Sequence, residues 1–129
     1  MQEASVFIRN NVAEISLPAN VDVTVRAKTN SKAPQRMTLK SKGGAVNLAF
    51  SGGGEKTILG ESQVRFDSIA TATFEFSDGS GAWKPSKLQS GGPYPIGNFN
   101  MLAVVAENGD DADYNDSILE LSWYTPQGA

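Results

Sequence analysis

Three observations predict an all-β chain folded as an antiparallel β-sandwich of about nine or ten short strands. Apolar and polar residues alternate with a period of two in several segments, most cleanly at Val21, Val23, Val25 and Ala27 and at Ala70, Ala72, Phe74 and Phe76. The 13 glycines fall largely in clusters, at Gly52, Gly53 and Gly54, at Gly79 and Gly81, and at Gly91 and Gly92, as turns between short strands require. No long window repeats its apolar residues with a helical period.

Taken in order, the expected strands are residues 6–8, 12–17, 21–27, 35–40, 46–50, 56–59, 63–66, 70–76, 99–107 and 118–123. β-Branched and aromatic residues recur in most of them, and Gly, Asn, Asp or Pro separates them. In 118–123 the alternation is less clean, with Leu119, Leu121 and Trp123 in phase and Ile118 out of it. The Gly52–Gly54 run reads as a turn. It lacks the Gly-Lys-Ser/Thr ending of a phosphate loop, and no helix follows. Residues 77–95, rich in Gly, Ser, Lys and Pro, read as a loop or ragged edge hairpin. Trp83 within it either plugs the end of the core or presents an exposed aromatic face on which a ligand could stack. Trp123 is expected in the core or at a subunit contact, and Lys40, Lys42, Lys84 and Lys87 on the solvated surface. No repeat, linker or composition shift divides residues 1–129, so one domain is expected.

Composition narrows the function. The net charge of -3 is unevenly distributed: Glu107, Asp110, Asp111, Asp113 and Asp116 hold five of the 14 carboxylates within ten residues. The remainder carries 11 basic against nine acidic side chains, and no basic stripe suits nucleic acid. No apolar run is long enough to span a membrane as a helix. The start, Met1-Gln-Glu-Ala-Ser, has neither the basic nor the apolar region of a secretory signal, so cytoplasmic synthesis is expected, compatible with later export or surface display. With no cysteine there is no disulfide or thiol chemistry, and with no histidine the metal ligands on offer are oxygens.

The acidic segment follows one apolar strand and precedes another, a position from which a rigid scaffold presents ligands. Two like charges about 4 Å apart repel by roughly 4 kcal/mol at an effective dielectric near 20, so the segment calls for a counter-charge. Oxygen-only ligands point to calcium. An EF-hand starting at Asp111 would need glycine at its sixth position and glutamate at its twelfth. Those positions hold Asp116 and Ser122, and the flanks are strands, so the EF-hand fails. Five carboxylates exceed the needs of one ion, whereas two ions sharing bridging carboxylates would balance them.

The stretch ENGDDADYNDSILELSW, residues 107–123, resembles the C-terminal signature of the two-calcium bacterial lectins, the family of the fucose- and mannose-binding lectin of Pseudomonas. A second stretch, LPANVDVTVRAKTN at 17–30, resembles that family's early strand, which ends in a calcium-binding asparagine. The resemblance implies two Ca2+ per subunit. Glu107, Asp111, Asp113 and Asp116 would surround one ion, and Asn30, Asp113, Asn115 and Asp116 the other. It implies that a monosaccharide docks on the ion pair through vicinal hydroxyls, with Ser31, Lys32 and Ala33 biasing fucose against mannose and with Asn108 and Asp111 beside the sugar. Asn108 stands where the family commonly has an acidic residue. The family also completes its second site with the terminal carboxylate of a neighbour's last glycine, whereas here the chain runs on past Gly128 to Ala129.

The leading expectation is therefore a calcium-dependent lectin for fucose- and mannose-type sugars, working as a homo-oligomer (a dimer or tetramer) because linked weak sites gain avidity. Strand 118–123 is the expected subunit contact. The alternative is a calcium-stabilised structural or adhesion module, which would keep the acidic segment without needing Asn30 or the 31–33 loop. A hydrolase is disfavoured: its acid and base need unequal environments, whereas these carboxylates crowd together as metal ligands.

Overall fold

The computed structural model describes residues 4–66, 69–77, 82–107 and 116–125. They form nine strands and no helix: β1 (Ser5–Arg9), β2 (Val12–Ser16), β3 (Asp22–Ser41), β4 (Asn47–Arg65), β5 (Ile69–Ser77), β6 (Trp83–Pro85), β7 (Lys87–Ile96), β8 (Phe99–Glu107) and β9 (Ser117–Tyr124). Every pairing is antiparallel, in the order β1-β2-β5-β3-β9-β8-β7, with β4 added to β3 and β6 to β5. The all-β expectation holds.

The organising element is β3. Its first half, Thr24 to Thr29, pairs with β9, and its second half, Gln35 to Ser41, pairs with β5. β4 accompanies it on the opposite edge along nearly its whole length. The strand thus passes from one layer of the sandwich to the other, and the transition falls at residues 30–34. Its inward row explains why it folds so. Val23, Val25 and Ala27 are buried in the first half, and Met37 and Leu39 in the second. They meet Leu102, Val104 and Ala106 of β8, Leu119, Leu121 and Trp123 of β9, and Ala70, Ala72 and Phe74 of β5 in one cluster. Each fully buried Val, Leu, Met or Phe among them contributes about 1.5–3 kcal/mol, and each alanine methyl less.

Two expectations change. The separate strands 21–27 and 35–40 are one strand, and 46–50, 56–59 and 63–66 are likewise fused as β4. The Gly52–Gly54 run is accordingly inside a strand and is no turn. Within the stretch 77–95, β6 and most of β7 are paired. β7 ends the strand path, where proline can sit without costing a ladder bond. Trp123 is in the core, as expected, and β9 lies between β3 and β8. Both its hydrogen-bonding edges are occupied, so only its outward face is open to a subunit contact. Lys40, Lys42, Lys84 and Lys87 are exposed. No helix among the described residues is long and apolar enough to cross a membrane.

Candidate functional site

The site is built where β3, β9 and β8 run side by side at one end of the sandwich. Thr29 pairs with Ser117, and Ser117 pairs with Ala106. One residue further along each strand stand Asn30, Asp116 and Glu107. Main-chain bonds extend the register to them: the Asn30 N–H donates to the Asp116 carbonyl at 3.2 Å, and the Asp116 N–H donates to the Ala106 carbonyl at 3.1 Å. Three residues expected to ligate metal thus form a single row across three neighbouring strands. Adjacent strands lie about 4.8 Å apart, so the row spans roughly 10 Å, with Asp116 in the middle.

Alternation places this row on the face opposite the core residues Ala27, Leu119 and Ala106. Glu107 and Asp116 are nevertheless only 2% and 6% exposed. A buried carboxylate needs a cation or several donors to stay charged. Among the described residues no group of three acidic side chains stands together as a metal site. The remaining expected ligands, Asp111, Asp113 and Asn115, lie outside the described residues, as do Asn108, Tyr114 and residues 126–129. The Asn30 side-chain oxygen accepts from the Lys56 N–H at 2.7 Å, which ties the row to β4. A carbonyl oxygen has a second lone pair, so this bond leaves it able to meet a cation.

Beside the row, residues 31–33 sit in a bulge. Ser31 pairs with Gly54 and Gln35 with Gly52, so Lys32, Ala33 and Pro34 together face Gly53 alone. Two extra residues on one strand bow it outwards, which makes a loop inside a continuous strand. Lys32 is exposed, Ala33 half-buried and Ser31 buried, with the Ser31 hydroxyl oxygen accepting from the Ala33 N–H at 3.2 Å.

Beneath the loop runs a hydrogen-bonded chain that the sequence reading missed. The Thr29 hydroxyl donates to the Asp116 carbonyl and accepts from the Ser31 N–H. The Gln35 amide nitrogen donates to the Ala33 carbonyl at 3.0 Å, and its oxygen accepts from the Ser117 hydroxyl at 2.7 Å. Ser117 adjoins Asp116, so the chain closes on itself. The signal was present in the inward row of β3, which turns from Val23, Val25 and Ala27 to Thr29, Ser31 and Gln35 before returning to Met37 and Leu39. Trp83, by contrast, stacks on Arg36, whose guanidinium carbon lies 4.3 Å from the ring centroid.

Known proteins share this architecture. A Chromobacterium violaceum lectin, CV2L, solved with alpha-methyl-fucoside, superposes with a TM-score of 0.72 at 28% identity, covering 92% of this chain and all of that one. A Ralstonia solanacearum high-affinity mannose-binding lectin gives 0.72 at 29% identity over the same shares. The C-terminal domain of the Burkholderia cenocepacia lectin BC2L-C gives 0.70 at 21% identity, covering 92% of this chain and 98% of that domain, which speaks for the fold alone. The chain matches no curated protein by sequence. The model of the family described as fucose-binding lectin II (PA-IIL) matches residues 15–125, a span that takes in the Asn30–Asp116–Glu107 row, so the chain belongs to this family of carbohydrate-binding, non-enzymatic lectins.

Proposed function

We propose that the protein binds fucose- and mannose-type monosaccharides through two calcium ions seated on the Asn30–Asp116–Glu107 row and the acidic segment beside it. The observation that carries this reading is the order within the row. The carboxylate at its centre, Asp116, is one of the two, with Asp113, that would be shared between the ions, and Glu107 and Asn30, which would each hold a different ion, flank it on opposite sides. Asp111, Asp113 and Asn115 would complete the ligand sets. All these donors are hard oxygens, and their number suits a cation that takes six to eight. When bound, calcium would supply positive charge and coordination positions that sugar hydroxyls fill in place of water. Buried carboxylates next to the ions would accept charge-assisted hydrogen bonds from the same hydroxyls and orient them.

The sugars bound by the Chromobacterium and Ralstonia lectins support the choice of fucose and mannose. Assembly into dimers or tetramers would raise avidity for clustered glycans. The test is retention on mannose- and fucose-agarose in millimolar calcium, followed by a chelator wash. Retention with release by the chelator is the expected result. Calcium binding without retention on either resin, in a protein shown to be folded, would leave a calcium-stabilised module in its place.

A further inference from the structure

We infer that Gln35 and Gly53 are positioning residues that set the shape of the 31–33 loop and, through it, the protein's preference between fucose and mannose. This rests on the reading above, in which that loop borders the sugar. Neither residue needs to touch the sugar.

Gln35 is fully buried, at the far end of the bulge from Asn30. Its amide nitrogen donates to Ala33, the last residue of the loop, while its oxygen accepts from Ser117, next to the central carboxylate of the row. The loop is thereby latched to the strand that carries Asp116. A buried amide is held in one orientation by such bonds, because a buried polar group gives up free energy when either is lost.

Gly53 acts from the other side. A Cβ added there would stand 3.1 Å from the Lys32 carbonyl oxygen, 3.4 Å from that of Ser31 and 3.5 Å from that of Ala33. Three successive carbonyls of the loop therefore converge on one glycine. Any side chain there would crowd the Lys32 carbonyl, so glycine lets β4 come this close to the bulge without displacing it. The Lys32 and Ala33 carbonyls cannot settle deeper without meeting β4, nor can Ala33 lift away without leaving Gln35.

The variants Gln35→Glu and Gly53→Ala test this. Glutamate keeps an acceptor for Ser117 but replaces the donor to Ala33 with a carboxylate oxygen that repels its carbonyl. Alanine pushes the Lys32 carbonyl outwards by a few tenths of an ångström. Calorimetric titration of each with L-fucose and with D-mannose in saturating calcium reads the ratio of the two affinities. The expected result is a ratio changed by at least about fivefold, the low end of couplings between sites not in direct contact, with the number of calcium ions unchanged. Equal loss for both sugars, or an unchanged ratio in a folded variant, would overturn the proposal. If Gln35→Glu does not fold, Gly53→Ala decides alone, since its perturbation is small and lies on an exposed segment. A wild-type protein that binds neither sugar would sink the underlying reading, an outcome distinct from a wild type that binds both and variants that bind alike.

Discussion

Thr29 and Asp116 are 87 positions apart in the chain, yet the Thr29 hydroxyl donates to the Asp116 main-chain carbonyl across the β3–β9 ladder. The same oxygen accepts from the Ser31 N–H at 3.2 Å. One buried hydroxyl thus joins the end of the regular ladder, the central carboxylate residue of the site and the first residue of the bulge. Thr29→Val preserves the β-branched shape and deletes both bonds. The expected cost is about 1–3 kcal/mol, the sum of two hydrogen bonds at about 0.5–1.5 kcal/mol each. Denaturant unfolding in chelator should show it as a lower midpoint at unchanged slope.

Ligand substitutions should separate the two proposed ions. Glu107→Gln is expected to weaken one calcium site and Asn30→Ala the other, each leaving roughly one ion bound. Asp116→Asn, altering the residue between them, should weaken both and abolish sugar retention. Native mass spectrometry in a calcium series counts the ions. Loss of a single ion in Asp116→Asn would contradict its bridging role.

Calcium removal should destabilise the fold as well as the site. A ligand that binds only the native state at about 100 times its dissociation constant adds roughly 2.7 kcal/mol, and two ions add more. Thermal unfolding in excess chelator should therefore fall well below that in calcium. Magnesium, which demands six short octahedral contacts and keeps its waters, should restore little of the difference.

Core and site should respond separately. Leu102 and Leu121 face each other across β8 and β9, and both are fully buried. Leu121→Ala is expected to cost about 2–5 kcal/mol by removing contacts and opening a cavity. The row of Asn30, Asp116 and Glu107 lies at the opposite face and one end of these strands, so sugar affinity should hold at temperatures where the variant stays folded. Parallel unfolding and titration measurements separate the two.

How far the sequence spoke depended on whether side chains carried the signal. Alternation marked both halves of β3 because Val23, Val25, Met37 and Leu39 all point inwards. It was silent across the bulge, where the inward residues are Thr29, Ser31 and Gln35 and the period itself is broken. Gly52, Gly53 and Gly54 have no side chains with which to show a period. Gly52 and Gly54 carry positive φ values of 146° and 123°, and because turns recruit glycine for the same conformational freedom, the run read as a turn. β7 was legible only as part of a loop or ragged edge hairpin for a related reason: at the end of the strand path it exposes Tyr94 and Ile96 and accommodates Pro93 and Pro95, so it has no buried row. Of the site, Asn30, Glu107 and Asp116 were legible as residue types at motif spacing. Gln35 and Ser117 were not, since their roles arise from pairing between strands far apart in the chain.

Trp83 provides a test of whether an exposed aromatic serves sugar or scaffold. It sits on the three-residue strand β6, 37% exposed, and its ring lies against the guanidinium of Arg36. Arg36 also donates to Glu75 at 2.7 Å, so one cation joins β3, β5 and β6. A partly exposed cation–π contact is worth about 0.5–1 kcal/mol, and the planar guanidinium cannot be replaced by the point charge of lysine. Arg36→Lys should therefore shift Trp83 fluorescence towards that of a hydrated indole and lower stability by about that amount. Trp83→Ala should leave affinity for fucose and mannose within about twofold, because the ring is already engaged by the Arg36 guanidinium on a strand paired with β5. Calorimetric titration decides the point: a tenfold loss in Trp83→Ala with the calcium count intact would make the ring a stacking platform for the sugar.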